Sequence, residues 1–255
     1  MTKPLAIITG GNTGIGRHLV TRFVGEGYAV AFSYRGAPEA AASLTAELGE
    51  AVLGIECDVG VKAQVDAFFA AATKWHPAAP HVLVNNAGIQ THAKLVDLSE
   101  ESWDNVIRTN LKGCFLNTQA AARWMIEGGR GGSIINIGSG CNKLGFPRLV
   151  DYTASKGGIE QFTKVAAVEL GPNGITVNCV APGAIATERT LRDDPDHTAI
   201  WSPITPLRRP GNPEDVVGVV LFFASPAASF VTGQTLWVDG GAFTRPNWPH
   251  IEQDD

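Results

Sequence analysis

Cysteine is scarce in this sequence, and its four copies, Cys57, Cys114, Cys141 and Cys179, are widely spaced. None belongs to a C-x-x-C pair, which argues against a zinc site or a redox-active dithiol. Separated thiols fit a protein that stays reduced, because disulfides are rare in the cytoplasm. The six histidines show no metal-ligand spacing either. The sequence therefore predicts no metal site and a cytoplasmic location.

Long apolar runs and an excess of positive charge are also missing. No apolar run reaches the roughly 18 residues that a membrane-spanning helix needs. The first residues, MTKPLAIITGG, lead straight into a predicted strand and leave no room for a signal peptide. The net charge of -5 and the pI near 5.7 argue against a nucleic acid or an anionic membrane as partner.

Short apolar segments alternate with helical patterns along the whole chain, which predicts one α/β domain over residues 1–255. Most of these segments are continuously apolar, as in strands buried on both faces of a parallel sheet. Such an alternation predicts a doubly wound sheet with right-handed crossovers and helices on both faces. The predicted strands are Leu5–Thr9, Ala29–Ser33, Val52–Cys57, Val82–Asn85, Ser133–Gly138, Thr176–Val180 and Thr235–Val238, and the predicted helices are Ile15–Glu26, Pro38–Leu48, Lys62–Trp75, Ser99–Glu127, Tyr152–Leu170 and Pro213–Ala224.

Residues 184–212 interrupt this rhythm. The segment carries Asp193-Asp194-Pro195 and three further prolines, so it is expected to be a long excursion over the strand ends. Loops of this length are usually functional lids or disordered segments, and a substrate lid is the interpretation favoured here. Residues 242–255 are expected to form a C-terminal tail.

A glycine-rich turn follows the first predicted strand and opens the first predicted helix. Gly10, Gly14 and Gly16 allow a tight turn and a close approach of the backbone to an anion, and the helix N-terminus supplies free N–H groups. The turn predicts a pyrophosphate site, although similar turns also occur without a ligand. Its expected contacts are Gly10, Asn12, Thr13, Gly14, Ile15 and Gly16.

The end of the second predicted strand bears on which nucleotide binds. NAD sites usually place an acidic residue there, whereas an arginine accommodates a 2′-phosphate. This chain has Tyr34 and Arg35 and no acid at the tip, and Arg17 could add positive charge. The sequence therefore predicts NADP(H), with NAD(H) as the alternative if Arg35 is only a solvated loop residue.

Tyr152 and Lys156 are four residues apart near the start of a predicted helix, so both project from one face. An ammonium beside a phenol favours the phenolate, and such a tyrosine can donate or accept a proton. Y-x-x-x-K pairs also occur on ordinary helix surfaces, so the surrounding residues decide whether this pair is interpreted as catalytic.

Two further polar residues stand where they can serve this pair. Ser139 follows the predicted strand Ser133–Gly138, at the carboxyl end where ligands lie in open α/β sheets. Its hydroxyl could stabilise charge that builds on a substrate oxygen. Asn110 lies inside a long predicted helix, where asparagine is a poor helix former. A side chain or water inserted there would open the helical ladder and could join a proton path.

Together these motifs resemble the short-chain dehydrogenase/reductase family in order and spacing. The resemblance implies a single-domain Rossmann-like fold, with about seven parallel strands in the order 3-2-1-4-5-6-7. All four catalytic positions of the family are filled. The match runs from about Leu5 to Gly241 and rests on the Thr9–Gly16 turn, Asn85-Asn86-Ala87-Gly88, Asn110, Ser139, Tyr152-x-x-x-Lys156 and Pro182-Gly183.

The resemblance also implies a role for each of these residues. Tyr152 would be the general acid/base, and Lys156 would favour its ionised form and bind the nicotinamide ribose. Ser139 would orient the substrate, and Asn110 would hold the water of a proton relay. The remaining cofactor contacts implied are Asp58 and Val59 near the adenine, Asn86 beside the adenosine ribose with Ala87 and Gly88 after it, and Pro182, Gly183, Ile185 and Thr187 near the carboxamide.

The implied activity is hydride transfer between the nicotinamide of NADP(H) and a small carbonyl or secondary alcohol, acting on CH–OH donors. The segments Gln90–Lys94, Gly140–Val150 and Ala184–Asn212 are expected to line the substrate pocket. Its predicted contacts are Gln90, Ser139, Asn142 and Tyr152, with His92, Arg148, His197 and Trp201 as further candidates.

Within the family, parts of the sequence resemble bacterial glucose 1-dehydrogenases, and polar side chains predominate near the expected pocket. A sugar or polyol such as glucose is therefore favoured. The alternative is a 3-oxoacyl-carrier-protein reductase or a general ketoreductase, which would need a basic docking patch. Arg208 and Arg209 are too few to decide. A non-enzymatic NADP-binding protein is disfavoured because the catalytic set is complete.

Family members are commonly homotetramers that pair the helices corresponding to Ser99–Glu127 and Tyr152–Leu170, so a homotetramer is expected. Four apolar residues near the C-terminus would supply interface surface, although core packing explains them nearly as well: Phe222, Phe223, Trp237 and Phe243.

Overall fold

The computed structural model describes residues 3–244, so residues 245–255 of the predicted tail lie outside the described part. All seven predicted strands are present and form one parallel sheet. The predicted order 3-2-1-4-5-6-7 is confirmed. The strands are β1 Leu5–Thr9, β2 Ala29–Tyr34, β3 Val52–Glu56, β4 Val82–Asn85, β5 Gly132–Ile137, β6 Ile175–Pro182 and β7 Thr235–Val238.

Successive side chains of each central strand point to opposite faces of the sheet, and most of them are apolar. Helices therefore cover both faces. In β1, Leu5 and Ile7 pack with residues of α3, α5 and α6, whereas Ala6 and Ile8 pack with residues of α1, α2 and α9. No helix within residues 3–244 is long and apolar enough to cross a membrane. The helices are α1 Gly14–Gly25, α2 Pro38–Leu48, α3 Lys62–Trp75, α4 Glu100–Val106, α5 Gly113–Gly128, α6 Val150–Leu170, α7 Glu188–Asp193, α8 His197–Ile204 and α9 Pro213–Ala224.

The long predicted helix Ser99–Glu127 is interrupted at its middle. Helices α4 and α5 are joined by a π-helical turn over Ile107–Lys112, which contains Asn110. The single helix predicted over Ser99–Glu127 is therefore corrected to two helices, and the irregularity falls at the asparagine that the sequence singled out as a poor helix former. Turns of this kind occur frequently at functional sites.

The segment 184–212 is more regular than its prolines suggest, since it contains α7 and α8. Helix α7 ends at Asp193, two residues before Pro195, where the residue preceding a proline disfavours helical backbone. The base of the segment is closed by a parallel bridge between Ile185 and Gly211. The expected long excursion is thus a helical flap that follows β6 and whose two ends are joined by this bridge.

Candidate active site

A continuous cleft crosses the carboxyl ends of the strands, as expected for an open parallel sheet. It consists of two hollows of about 770 and 740 Å³, which share lining residues such as Gly88 and Thr187. The first hollow lies over the ends of β1 to β4, and the second lies between the ends of β5 and β6 and the helical flap. The cleft has room for an extended ligand that reaches from one hollow into the other.

The glycine turn forms one wall of the first hollow. Gly10 and Gly14 have φ angles of 63° and 51°, in the left-handed region that favours glycine. A Cβ atom on Gly16 would lie 1.9 Å from the carbonyl oxygen of Gly10, so only glycine fits there. No side chain within residues 3–244 caps the start of α1 at Thr13. The first N–H groups of α1 therefore remain available to an anion.

Asn86 fixes this turn from the neighbouring strand. Its side-chain Nδ2 donates to the carbonyl oxygens of Thr9 and Gly10, at 3.0 Å each. The hydroxyl of Thr9 in turn accepts from the main-chain N–H groups of Asn86 and Ala87, also at 3.0 Å. The ends of β1 and β4 are therefore held in a fixed relation, with the turn open towards the cleft.

Asn12 fastens the other side of the turn. The residue is 5% exposed, and its Nδ2 donates to the carbonyl oxygens of Gly36 and Ala37 at 3.0 Å. Arg17 lies outside the cleft lining and forms an ion pair with Glu47 at 2.5 Å. The extra positive charge considered for Arg17 is thus directed towards α2.

Arg35 and Asp58 meet at the far end of the first hollow. Arg35 Nη1 and Arg108 Nη1 each donate to Asp58 Oδ2 at 2.9 Å. Burial opposes ionisation of Asp58, but hydrogen bonds from Arg108, from the main chain of Gly60 and from Arg35 outweigh it and hold its pKa below the ordinary range. Arg108 is a residue of this site that sequence reasoning missed.

Tyr152 and Lys156 lie together in the second hollow, one turn apart on α6. The Nζ atom of Lys156 lies 5.4 Å from the centroid of the Tyr152 ring and donates to the carbonyl oxygen of Ile137 at 2.7 Å. Lys156 is 3% exposed, so its ammonium is held between the end of β5 and the phenol. Ser139 follows β5 directly and lines the same hollow.

Asn110 stands behind this group, 1% exposed within the π-helical turn. Its Oδ1 accepts from the main-chain N–H of Ile89 at 2.8 Å, and its Nδ2 donates to the Ile89 carbonyl oxygen at 2.9 Å and to Ser155 Oγ at 3.0 Å. A Cβ atom on Gly88 would meet both Asn110 Oδ1 and Lys156 Nζ, at 3.4 and 3.8 Å. The Asn110 side chain thus holds the strand end that runs beside the lysine.

Most of the predicted contacts line the cleft, and one lies behind it. Asn142 is absent from the described lining, and its side chain supports Ser139. Its Oδ1 accepts from the Ser139 N–H at 3.1 Å, and its Nδ2 lies 3.6 Å from Cys179 Sγ. The predicted residues that line the cleft are Gly10, Asn12, Thr13, Gly14, Ile15, Gly16, Tyr34, Arg35, Asp58, Val59, Asn86, Ala87 and Gly88 in the first hollow, and Gln90, Ser139, Tyr152, Lys156, Pro182, Gly183, Ile185 and Thr187 in the second.

The substrate end of the second hollow has a polar and an apolar part. Gln90 Nε2 lies 3.0 Å from His92 Nε2, and on the flap His197 stacks obliquely near Trp201 with ring centroids 6.2 Å apart. His197 is 6% exposed, and its Nδ1 has no hydrogen-bond partner among residues 3–244. Arg148 is absent from the lining and has a left-handed φ of 69°.

Two aromatic residues of this hollow were missed from the sequence. Phe146 and Phe243 form an edge-to-face pair with centroids 5.4 Å apart. A Cβ atom on Gly140 would lie 2.1 Å from the Phe243 ring, so that glycine makes room for it. Phe146 lies within a segment expected to line the pocket, whereas Phe243 was expected at a subunit interface or in the core and instead lines this hollow.

Such a cleft, with a glycine turn at one end and a tyrosine–lysine–serine group at the other, defines a nucleotide-dependent oxidoreductase of the Rossmann type. The family model described as enoyl-(acyl carrier protein) reductase matches residues 10–243. The chain belongs to the short-chain dehydrogenase/reductase family.

Individual relatives give the same assignment. The chain is 39% identical over 248 residues to a 3-oxoacyl-(acyl-carrier-protein) reductase of Staphylococcus aureus, covering 95% of this chain and 99% of the relative. It is also 39% identical to a 3-oxoacyl-(acyl-carrier-protein) reductase of Synechocystis, covering 94% and 97%. A solved gluconate 5-dehydrogenase from Burkholderia cenocepacia, in complex with NADP and tartrate, superposes with a TM-score of 0.88 at 36% identity, covering 96% and 97%.

Proposed function

We propose that this chain is an NADP(H)-dependent oxidoreductase that transfers a hydride between the nicotinamide and a carbonyl or secondary alcohol. The observation that carries the proposal is the placement of Tyr152, Lys156 and Ser139 in a hollow continuous with the glycine turn. The left-handed turn, the uncapped start of α1 and the missing side chain at Gly16 fit a dinucleotide pyrophosphate.

The catalytic step follows from the side chains of the second hollow. When bound, NADP(H) supplies or accepts the hydride. In the direction of reduction, the Tyr152 hydroxyl donates its proton to the substrate oxygen, and the Ser139 hydroxyl donates a hydrogen bond to the same oxygen. The positive charge of Lys156 Nζ, 5.4 Å from the centroid of the Tyr152 ring, attracts the negative charge that the proton transfer leaves on the tyrosine oxygen. Asn110 keeps the backbone beside the lysine in position through its bonds to Ile89.

The cofactor preference is supported by Arg35 at the end of β2, where an acidic residue would serve NAD(H) instead. The Burkholderia gluconate 5-dehydrogenase of similar fold binds NADP. NAD(H) is the alternative, and it is favoured if the purified protein gives the higher kcat/KM with NAD(H).

The substrate that we propose is a small polar carbonyl or alcohol, such as a sugar, polyol or sugar acid. Gln90, His92, His197 and Trp201 supply hydrogen-bonding groups and an aromatic wall around the catalytic group. The buried Nδ1 of His197 has no partner within residues 3–244, and buried polar nitrogens are usually satisfied. A substrate oxygen would provide such a partner after a small adjustment of the ring.

A second candidate is the reduction of 3-oxoacyl groups on a carrier protein. The curated relatives at 39% identity carry that name, and the apolar part of the hollow at Phe146 and Phe243 could accept an acyl chain. A panel of aldoses, polyols, aldonates and 3-oxoacyl thioesters, followed at 340 nm, separates the two candidates by kcat/KM.

The catalytic assignment is tested by Tyr152→Phe, with Tyr28→Phe as a matched control. Tyr28 packs against Phe23 with ring centroids 5.1 Å apart, remote from the cleft lining. We expect Tyr152→Phe to lose turnover by two or more orders of magnitude while it still binds cofactor. Equal activity of the two variants would remove Tyr152 from the mechanism, and cofactor binding without turnover of any substrate by the unaltered protein would favour a binding role.

We further propose a homotetramer in the cytoplasm. Helices α5 and α6 expose apolar side chains, with Phe115 43%, Val165 58% and Val168 78% accessible. Exposed apolar groups on adjacent helices favour an interface between subunits. The four free, buried cysteines are consistent with a reducing compartment. Light scattering that gives a monomer at micromolar concentration would contradict the tetramer.

A further inference from the structure

Asp58 is shared by two arginines at the end of the first hollow. Its Oδ2 accepts from both Arg35 and Arg108 at 2.9 Å, and its Oδ1 accepts from the main-chain N–H of Gly60 at 2.9 Å. The Asp58 side chain is 15% exposed. Two guanidinium groups and one carboxylate leave this triad with one net positive charge.

Arg108 is the fixed member of the triad. Its Nη2 donates to Asn105 Oδ1 at 2.9 Å, and its side chain packs on Gly60, where a Cβ atom would lie 2.8 Å from Arg108 Cγ. Arg35 is 45% exposed and bonds only to Asp58 among the residues that the structure describes. Arg35 is therefore free to turn towards a ligand, whereas Arg108 stays in place.

The positive charge of Arg108 offsets the negative charge of Asp58. Without it, Asp58 and Arg35 would form a neutral pair, and Arg35 would be the one guanidinium left to a partly buried carboxylate. A cavity of about 900 Å³ beside the two arginines is also lined by the exposed acids Glu100, Glu101 and Asp104. Salt partly screens the negative charge of these acids, and what remains does not attract a phosphate.

We propose that Arg108 is a cofactor-selecting residue. It offsets the charge of Asp58 and so leaves the Arg35 guanidinium available for the 2′-phosphate of NADP(H). The inference rests on the NADP(H) preference proposed above and extends it to a residue of the π-helical turn. Arg108 acts through its neighbours, so it is a positioning residue.

The test compares the affinities of Arg108→Gln and the unaltered protein for NADP⁺ and NAD⁺, measured by titration calorimetry. The readout is the ratio of the two Kd values, because effects on the shared parts of the dinucleotides cancel in it. We expect Arg108→Gln to reduce the preference for NADP⁺ about tenfold, or roughly 1.4 kcal/mol, and to change the Kd for NAD⁺ by less than about twofold.

Two further variants isolate the charge effect from a structural one. Asp58→Asn combined with Arg108→Gln has the same net charge as the original triad, so it should regain most of the lost preference. Arg22→Gln is the matched control, because Arg22 also forms ion pairs, with Glu26 and Glu214, but stands in the last turn of α1. It should leave the ratio unchanged.

The outcomes separate this inference from the cofactor proposal. Equal affinity of the unaltered protein for NAD⁺ and NADP⁺ would refute the cofactor proposal and remove the basis of the inference. A clear NADP⁺ preference that persists in Arg108→Gln would overturn the inference alone. A parallel loss of affinity for both dinucleotides, without recovery in the double variant, would also overturn it.

Discussion

A methyl group at position 16 tests the glycine turn without any knowledge of the substrate. In Gly16→Ala the new Cβ atom would lie 1.9 Å from the carbonyl oxygen of Gly10 and 2.7 Å from Asn86 Nδ2. A carbon and an oxygen that are not bonded need more than about 3 Å, so the turn and α1 must separate by more than about 1 Å. That movement also stretches the hydrogen bond from Asn86 to Gly10.

The magnitude follows from these two effects. Overpacking of a buried site costs about 1–3 kcal/mol, and a weakened hydrogen bond adds about 0.5–1.5 kcal/mol. We therefore expect Gly16→Ala to lower the free energy of unfolding by about 2–4 kcal/mol. At roughly 2–4 °C for each kcal/mol in a chain of this size, Tm should fall by about 5–15 °C. Affinity for the dinucleotide should fall more than tenfold, because the displaced backbone belongs to the proposed anion site.

The assay is thermal melting together with cofactor titration, and Gly25→Ala is the matched control. Gly25 is the last residue of the same helix, and a Cβ atom there meets nothing within 4 Å. Alanine should be neutral at that position or stabilise by up to about 1 kcal/mol. If Gly16→Ala melted and bound cofactor as Gly25→Ala does, the proposed role of close backbone packing in the turn would be refuted.

Three other expectations concern thiols, the π-helical turn and the surface. Burial raises the pKa of Cys57 and Cys179 to about 11 and that of Cys114 to about 12, so at pH 8 about one in a thousand or fewer of these thiols is ionised. Labelling by a thiol reagent should therefore be rapid only after unfolding, and fast reaction of several thiols in the native protein would contradict this. Asn110→Ala removes the three hydrogen bonds of a buried side chain and should lower the free energy of unfolding in urea by about 2–4 kcal/mol. A loss below about 1 kcal/mol would count against its anchoring role. Val168→Lys, on an exposed position, should leave the fold intact and lower the mass of the proposed tetramer in light scattering, whereas an unchanged mass would exclude that surface from the interface.

The architecture was predictable because the central strands are continuously apolar and the helices between them are amphipathic. β1, β4 and β7 have the predicted bounds, and the other four strands differ by one or two residues at their ends. The pairing of Tyr152 with Lys156 was also predictable, because helical periodicity alone places residues four apart on one face. Local patterns were therefore sufficient wherever the relevant residues are close in sequence.

Features that depend on distant residues could not be read in this way. Arg108 meets Asp58 across 50 positions, and no local pattern links them. The Phe243 ring enters the second hollow from beyond β7, where only the packing against Gly140 reveals it. The helices of the flap were hidden by prolines, which usually mark loops but here include Pro203 inside α8.

The π-helical turn at Ile107–Lys112 also sets the angular phase between the two helices that it joins. A regular α-helix rotates by about 100° per residue, so one residue more or less turns everything beyond it by that angle. Removing a single residue from the turn would swing the inward face of α5, which includes Leu116, Ala121 and Met125, away from the sheet. The irregularity thus lets successive helices direct Asn110 towards Ile89 and Ser155 behind the cleft and direct the apolar stripe of α5 towards the interior, two directions that an uninterrupted helix of this sequence could not satisfy together.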